Sequence, residues 1–253
     1  GGSSMSGVYA RYNGEWYTVA VPQDPDVIPG LGGWATLSTV EMQGGLPATN
    51  TYTQNGMEWT SYSFINDGSF TLSEEGLVDV LVVASASQES SGVGGKGGGV
   101  LTGVEVMESG QSTVAIAPGN TTNGEPSYIT EPSGKVTWIS MAGDWSEPAR
   151  TGNGGMDLSG NGVFSTIETG SAIGYGGGAA ATADYGQGLP PRPNSGGAST
   201  KTSPSGQSTK GAGGIVIIRV PTSKTLSVSM SVAETQERAM PWRAEDDPDG
   251  TNV

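Results

Sequence analysis

Five residues in the second half of the chain have the spacing of a calcium-binding loop. Asp157, Ser159 and Asn161 stand at its first, third and fifth positions, Gly162 at the sixth and Glu168 at the twelfth. Calcium prefers oxygen ligands, and a twelfth-position glutamate commonly binds it through both carboxylate oxygens. Flanking glycines exclude the two helices of an EF-hand, and a chain rich in Asp, Asn, Ser and Gly produces such spacings by chance. The sequence therefore predicts a calcium site, with an ordinary surface loop as the alternative.

A second set of residues has the chemistry of a sugar-binding surface. Trp145, Tyr175 and Tyr185 lie among Gly, Ser, Ala and Asp, with no strand pattern that would bury them. Exposed aromatic rings pack on the apolar faces of sugar rings, while polar neighbours hold the hydroxyl groups. Arg150 and Arg192 lie nearby in sequence and would hold acidic sugar groups. The alternative is that the three aromatic side chains cap a thin core.

Motifs for catalysis are sparse. The chain contains no His and no Cys, which removes the common bases, the thiol nucleophile and the usual ligands of zinc, haem and iron–sulfur sites. Lys96 does not belong to a phosphate-binding loop, because Ser90 replaces the first required glycine and Gly97 follows the lysine. Carboxylate pairs that could cleave glycosides are read more simply as surface acids. Those pairs are Glu74/Glu75, Asp144/Glu147 and Asp157/Glu168. We expect a protein that is not an enzyme and has no cofactor other than calcium.

The composition points to a fold that depends on backbone hydrogen bonds. Of 253 residues, 43 are Gly and 15 are Pro, and 34% are hydrophobic, so a large apolar core is not expected. The net charge of −14 repels phosphate backbones and anionic lipid, which argues against nucleic acid and membrane surfaces as partners. No apolar run reaches the roughly 18 residues of a membrane span. Gly1–Ser4 resemble a cloning remnant before a native start at Met5, and no signal peptide is evident, so we expect synthesis in the cytoplasm.

The first part of the chain, residues 5–63, carries two hairpin signals. Asn13-Gly14 separates two short strand-like segments, and Gln54-Asn55-Gly56 separates Thr51–Thr53 from Met57–Ser63. Asn-Gly pairs favour the tight turns that join antiparallel strands. We therefore expect residues 5–63 to form a small β module for attachment, separate from the remainder of the chain.

The second part, residues 64–220, is expected to be a glycine-rich β domain. Apolar strands are predicted near its start at Leu77–Ala84 and at its end at Ile215–Val220. The run Val80–Val83 and the second strand are apolar on both faces, so they should be covered on two sides. Further strands are predicted between them. They are Ser69–Leu72, Val100–Met107, Ser112–Ala117 and Val136–Ile139. Residues 221–253 are expected to add one strand, because Leu226–Val232 alternates strictly between apolar residues and serine, followed by an acidic tail.

Glycine without a Cβ atom allows backbones to approach closely, so extended polyproline-II-like segments can lie side by side and exchange hydrogen bonds. A flexible linker is the alternative reading of the same glycines. The apolar strands that bracket them favour an ordered body. The predicted fold is accordingly all-β, a β-sandwich-like body with irregular polyproline-II-like glycine segments and a small N-terminal hairpin module.

Several segments occur in an order that resembles the glycine-rich domain of bacteriophage tail and minor tail proteins, over roughly residues 68–220. The segments are Phe70-Thr-Leu, Val78-Asp-Val-Leu-Val-Val83, Gly99-Val-Leu-Thr-Gly103, Val114-Ala-Ile-Ala-Pro-Gly119 and Gly211-Ala-Gly-Gly-Ile-Val-Ile-Ile-Arg219. The start from Met5 to Trp16 resembles minor tail proteins of phages that infect actinobacteria. The chain departs from the family after Val83, where an unbroken glycine run is replaced by a segment rich in Ala and Ser.

The resemblance implies a structural or adhesive protein of the virion that is often trimeric and contacts other tail proteins. We expect it to bind a glycan of the bacterial envelope through loops of the glycine-rich body, because loops commonly carry function. Two alternatives stay open. The same fold can serve a purely architectural role that joins tail parts, or it can belong to a depolymerase that degrades glycans.

Overall fold

A computed structural model describes residues 8–12, 15–19, 33–87, 97–119, 124–140, 163–176, 194–197 and 211–234. Within these ranges the fold is all-β, as predicted, and its one helical element is the 3-10 turn η1 (Thr222–Lys224). The strands are β1 (Val8–Tyr12), β2 (Glu15–Val19), β3 (Thr36–Gln43), β4 (Ala48–Gln54), β5 (Met57–Phe64), β6 (Gly68–Glu74), β7 (Gly76–Val83), β8 (Val100–Met107), β9 (Gly110–Ala115), β10 (Ser127–Thr130), β11 (Val136–Ser140), β12 (Val163–Ser165), β13 (Ile173–Tyr175), β14 (Ile215–Pro221) and β15 (Ser229–Ala233).

Two sheets pack face to face as a β-sandwich. One has six strands in the order β11-β10-β9-β6-β3-β15, and the other has five in the order β4-β5-β14-β7-β8. All pairs in these sheets are antiparallel except β15 with β3, which is parallel. Two small sheets, β1-β2 and β12-β13, complete the strand pairing of the described residues.

The main core lies between the two large sheets. It is built by side chains that alternate along the strands, so that Val216 and Ile218 of β14 face Phe70 and Val114 of the opposite sheet. At one edge the ring of Trp138 in β11 would lie 3.4 Å from a Cβ atom at Gly103 in β8, so this glycine lets the aromatic ring approach the facing strand.

Strand β7 is buried along its whole length, as its apolar sequence predicts. Its second face is covered by an outer cluster that combines Leu81, Ile217 and Val100 with Ile167 and Tyr175 from the segment around β12 and β13. The prediction that Val80–Val83 and the apolar residues of Ile215–Val220 are covered on both sides is therefore confirmed.

Both hairpins predicted from Asn-Gly pairs are present. β1 pairs with β2 from Val8↔Val19 to Tyr12↔Glu15. β4 pairs with β5, and the turn between them places Asn55 and Gly56 at φ 53° and φ 80°. Two successive positive φ angles are the requirement of the tight turn that Asn-Gly favours.

The predicted boundary after residue 63 falls inside the sandwich. β3 pairs with β6, and β5 pairs with β14 through Phe64↔Val216 to Trp59↔Pro221. Strands of the range 33–63 thus form part of both large sheets, because their apolar faces complete the same core. β15, from the predicted C-terminal part, extends the six-stranded sheet.

The alternating segment Leu226–Val232 differs from its prediction as a half-buried strand. Strand pairing begins only at Ser229, and Leu226 is 84% exposed. The preceding residues turn instead, with the amide of Val228 donating to the carbonyl of Thr225 (N–O 3.2 Å). The strand lies at a sheet edge, where there is too little opposing surface to bury its apolar side.

Glycine-containing segments converge at one end of the sandwich. Together with residues 84–87, which contain Ala and Ser in place of glycine, we call them the glycine layer; the glycine-containing segments are 97–99, 117–119, 194–197 and 211–214. The amide of Gly98 donates to the carbonyl of Gly196 (2.8 Å), and the amide of Gly196 donates to the carbonyl of Gly213 (2.9 Å). These bonds satisfy main-chain groups outside any strand.

Close backbone approach explains why glycine is needed in this layer. A Cβ atom at Gly98 would lie 1.9 Å from the carbonyl oxygen of Ala84, and one at Gly214 would lie 2.3 Å from that of Val83. Separations so short leave no room for a side chain. The polyproline-II-like conformation stays a prediction.

Candidate functional site

Arg219 and Asp79 face each other on adjacent strands of the five-stranded sheet, on the side away from the main core. β14 lies between β5 and β7, and the pairing register sets Arg219 between Ser61 and Asp79. Since side chains alternate, Val220 next along β14 points into the core and Arg219 points out.

The arginine is held by three polar partners. Its Nε donates to Oδ2 of Asp79 at 2.6 Å, and its Nη1 donates to Oη of Tyr52 at 2.9 Å and to Oε1 of Gln54 at 2.7 Å. Its Cζ lies 4.4 Å from the ring centroid of Trp59, within cation–π range. We call these five residues the arginine cluster.

Burial determines the electrostatics of the cluster. The side chains of Arg219 and Asp79 are only 13% and 12% exposed. Burial raises the pKa of Asp79, and the charge and hydrogen bond of Arg219 offset part of that rise. Burial opposes the charge of Arg219, but attraction to Asp79 and the interactions with the Tyr52 hydroxyl together outweigh it, so the pKa of Arg219 is raised. The raised pKa of Asp79 favours a neutral carboxyl group, whereas the raised pKa of Arg219 favours a charged pair. Because arginine keeps its proton in proteins, the 2.6 Å contact favours the ion pair at neutral pH.

The arginine cluster fastens the turn between β12 and β13 to the sheet. The hydroxyl of Tyr52 donates to the carbonyl of Ile167, and Nε2 of Gln54 donates to Oγ1 of Thr166 at 2.8 Å. Close by, the hydroxyl of Ser61 donates to the carbonyl of Glu168 at 2.7 Å. Polar groups of the turn that would otherwise be buried without partners are satisfied by the sheet.

Gly170 allows this contact. Its φ is +78°, and a Cβ atom there would lie 2.7 Å from the ring of Tyr52. Its amide donates to the carbonyl of Thr166 at 2.8 Å, which closes the turn. A side chain at this position would push the β12–β13 turn away from the arginine cluster.

The fastened hairpin fixes where two chain segments begin and end. Val163 and Tyr175 are directly paired, so residues 141–162 end beside the start of residues 177–193. The second of these segments is closed at its base, because the amide of Gly176 donates to the carbonyl of Ser195 at 2.7 Å. The chemistry of the cluster is thus that of a scaffold, which positions loops through polar contacts.

The glycine layer closes other segments in the same way. Residues 198–210 leave and return where the amide of Ala212 donates to the carbonyl of Gly197 at 2.9 Å. Residues 88–96 leave and return near Ala84, whose amide donates to the carbonyl of Gly99 at 3.0 Å. The described residues that flank these three segments therefore all lie at one end of the sandwich.

Two predicted site residues lie in the described part of the chain. Tyr175 is fully buried in the outer cluster, so its ring is not available to stack on a sugar. The expectation that it forms part of an exposed aromatic surface is wrong, because Ile167 and the apolar outer face of the sheet cover it. Glu168 is partly exposed, and its Oε2 accepts a hydrogen bond from the hydroxyl of Tyr175. Its role as a calcium ligand stays a prediction.

The other predicted site residues lie outside the described residues. They are Trp145, Arg150, Tyr185 and Arg192 for the glycan, and Asp157, Ser159 and Asn161 for calcium. Their predicted roles stay predictions. All seven belong to the two segments, 141–162 and 177–193, whose ends the β12–β13 hairpin brings together.

The arginine cluster was not predicted from the sequence, although a signal exists. Asp79 and Arg219 each interrupt an apolar run that should be covered on both faces. A charge in such a run needs a partner, since an unpaired buried charge is costly. A single positive charge in one such strand and a single negative charge in the other therefore indicate that the two strands are neighbours in the sheet.

No family model, curated protein or solved structure matches this chain. Among the described residues no helix has the length and apolar character needed to cross a bilayer. In the same part of the chain no group of three or more Asp, Glu, His or Cys side chains gathers where it could hold a metal ion.

Proposed function

We propose that this protein is a structural and adhesive component of a bacteriophage tail, which contacts a glycan of the host envelope through loops at one end of a β-sandwich. The observation that carries the proposal is the glycine layer. Main-chain hydrogen bonds of this layer join the described residues on either side of 88–96, 177–193 and 198–210, so the ends of each segment are held together. Binding residues commonly lie on loops that a rigid scaffold positions.

The glycine layer suits adhesion because it holds the ends of these segments together. Each residue that becomes ordered on binding costs conformational entropy, so loops with fixed ends bind with less loss than loops with free ends. The arginine cluster adds to this by fastening the β12–β13 turn through Tyr52 and Gln54. The proposal assigns these contacts the role of holding loop ends in place.

The proposed ligand is an envelope glycan bearing acidic groups. Within the two segments next to the β12–β13 hairpin, Trp145 and Tyr185 offer aromatic faces and Arg150 and Arg192 offer positive charge. Aromatic rings and arginine side chains together recognise the apolar face and the acidic substituent of one sugar. The protein acts by binding rather than by catalysis, and its place is in the virion.

A second candidate function is purely architectural. Met230 and Val232 on the edge strand β15 are 42% and 57% exposed, and exposed apolar edges are typical of contacts with other chains. In that case the protein joins tail parts, and its loops bind no sugar.

A glycan array and host-cell binding separate the two candidates. We expect purified protein to bind a subset of acidic envelope glycans, and Trp145→Ala to weaken that binding at least tenfold. Tyr175→Phe is the matched control, because it keeps a buried ring and removes only a hydroxyl group. Absence of binding to every glycan and to host cells would leave the architectural role. Release of reducing sugar would instead identify a depolymerase.

A further inference from the structure

Among the described strands, β15 has an outer edge that pairs with no other strand and carries no charged residue. β15 pairs with β3 on one side, and within the described ranges no strand pairs with its other side. Residues 225–233 contain no Asp, Glu, Lys or Arg, although the chain as a whole carries a net charge of −14. Edge strands are usually protected by charges or proline, and this strand has neither.

Apolar side chains of β15 point toward the inside of the sandwich without being covered. Met230 pairs with Val40 and Val232 pairs with Met42, and both partners are buried core residues. Met230 and Val232 nevertheless remain 42% and 57% exposed. Facing β15, the hydroxyl of Thr49 on edge strand β4 contacts Sδ of Met230 at 3.4 Å. The core is therefore open between these two edges.

The sequence of β15 is complementary to itself when two copies run antiparallel about Ser231. In that register Met230 of each copy lies opposite Val232 of the other, and Ser229 lies opposite Ala233. Apolar residues meet on the inner face and small residues meet on the outer face. β15 itself brings no charge to the seam, so the charge repulsion there is limited to Glu41 of the neighbouring strand, whose Oε1 accepts a hydrogen bond from Ser231 at 2.8 Å.

We propose that β15 is a homotypic interface, at which two copies of this chain pair antiparallel about Ser231 and extend the six-stranded sheet across a two-fold axis. Such an interface uses the same surface on both copies and closes after two. It places the exposed faces of Met230 and Val232 against their counterparts. The number of copies in the assembly is then even, whether the dimer stands alone or joins three-fold units of the kind the family resemblance implies.

Single cysteines test the register, because the natural chain has none. Ser231→Cys puts the two thiols opposite each other, at the strand spacing of about 5 Å that a disulfide can bridge. Ser229→Cys is the matched control on the same face. In this register its two copies lie about four residues apart along the strands, roughly 13 Å, which is too far for a disulfide. We expect mild oxidation to cross-link most of the Ser231→Cys protein and little of the Ser229→Cys protein.

Light scattering and a second pair of variants complete the test. Val232→Lys places a charge in the seam and is expected to raise the dimer dissociation constant at least tenfold. Phe164→Lys, at a residue that is 63% exposed on β12, is expected to change it less than twofold. A mass of one or three copies, or equal cross-linking at positions 229 and 231, would overturn the proposal. A Val232→Lys protein that folds and stays dimeric would also overturn it.

Discussion

Arg219 on β14 and Asp79 on the neighbouring strand β7 form an ion pair in which Nε and Oδ2 lie 2.6 Å apart. The pair stands at the junction of two structural layers. On one side it belongs to the strands that build the core, and on the other its partners Tyr52 and Gln54 hold the turn between β12 and β13. A change at this pair therefore acts on the fold and on the loops.

Removing the arginine is expected to be costly, and removing both charges less so. Arg219→Met leaves the carboxylate of Asp79 buried without its partner, and such a change costs about 3 kcal/mol of the free energy of unfolding. Both side chains keep some exposure, so this loss of the free energy of unfolding lies at the low end of the range for buried pairs. The double variant Arg219→Met/Asp79→Leu removes the orphaned charge and is expected to recover part of the loss. Urea denaturation measures both. If the double variant lost as much free energy of unfolding as Arg219→Met and Asp79→Leu lose together when made singly, the pairing would be contradicted.

Gly98 and Gly214 are expected to be intolerant of alanine. A Cβ atom at either position would collide with a carbonyl oxygen, at 1.9 Å and 2.3 Å, and displacing the backbone is expected to cost more than about 2 kcal/mol. Gly45→Ala is the control, because its Cβ atom would find its nearest neighbour at 4.0 Å and its φ is unexceptional. Thermal unfolding of the three variants decides this. Equal midpoints would show that the glycine layer has room for side chains.

Tyr62 is expected to make the fold sensitive to alkali. Burial raises the pKa of Tyr62 above 10.0, and a hydrogen bond with Thr225 offsets part of the rise. The unfolded chain releases this proton near pH 10 while the folded protein retains it, so the free energy of unfolding falls as the pH rises above about 10. The slope from one such group is at most about 1.4 kcal/mol per pH unit.

Tyr62→Phe isolates that contribution. The variant loses the hydroxyl group and its hydrogen bond, which costs about 1 kcal/mol at neutral pH, but its stability should decline less steeply above pH 10. Denaturation at several pH values between 8 and about 11 provides the comparison. Parallel curves for the two proteins would mean that the tyrosine titrates alike in both states.

The strands with strong local signals were predictable, while the relations between distant segments were not. Asn55-Gly56 specifies a turn, and Val80–Val83 is apolar on both faces, so each defines its structure within a few residues. β3 pairs with β6 and β5 pairs with β14 because their apolar faces complete one core. No local pattern in residues 36–64 identifies these partner strands. Tyr175 lies among glycines and carries no pattern of burial, yet the outer face of β7 and β14 covers it.

Glu168 is expected to control any response to calcium. Its carboxylate accepts a hydrogen bond from the hydroxyl of Tyr175, and its carbonyl oxygen accepts one from Ser61, so the residue is held in place at the end of the predicted loop. If calcium binds as the spacing from Asp157 predicts, a concentration a hundred times the dissociation constant stabilises the fold by about 2.7 kcal/mol. Glu168→Gln should abolish that gain, because an amide supplies only one oxygen. Tyr175→Phe leaves the carboxylate intact and should keep the gain. Calorimetric titration with calcium makes the comparison, and an absence of heat with the natural protein would remove the site.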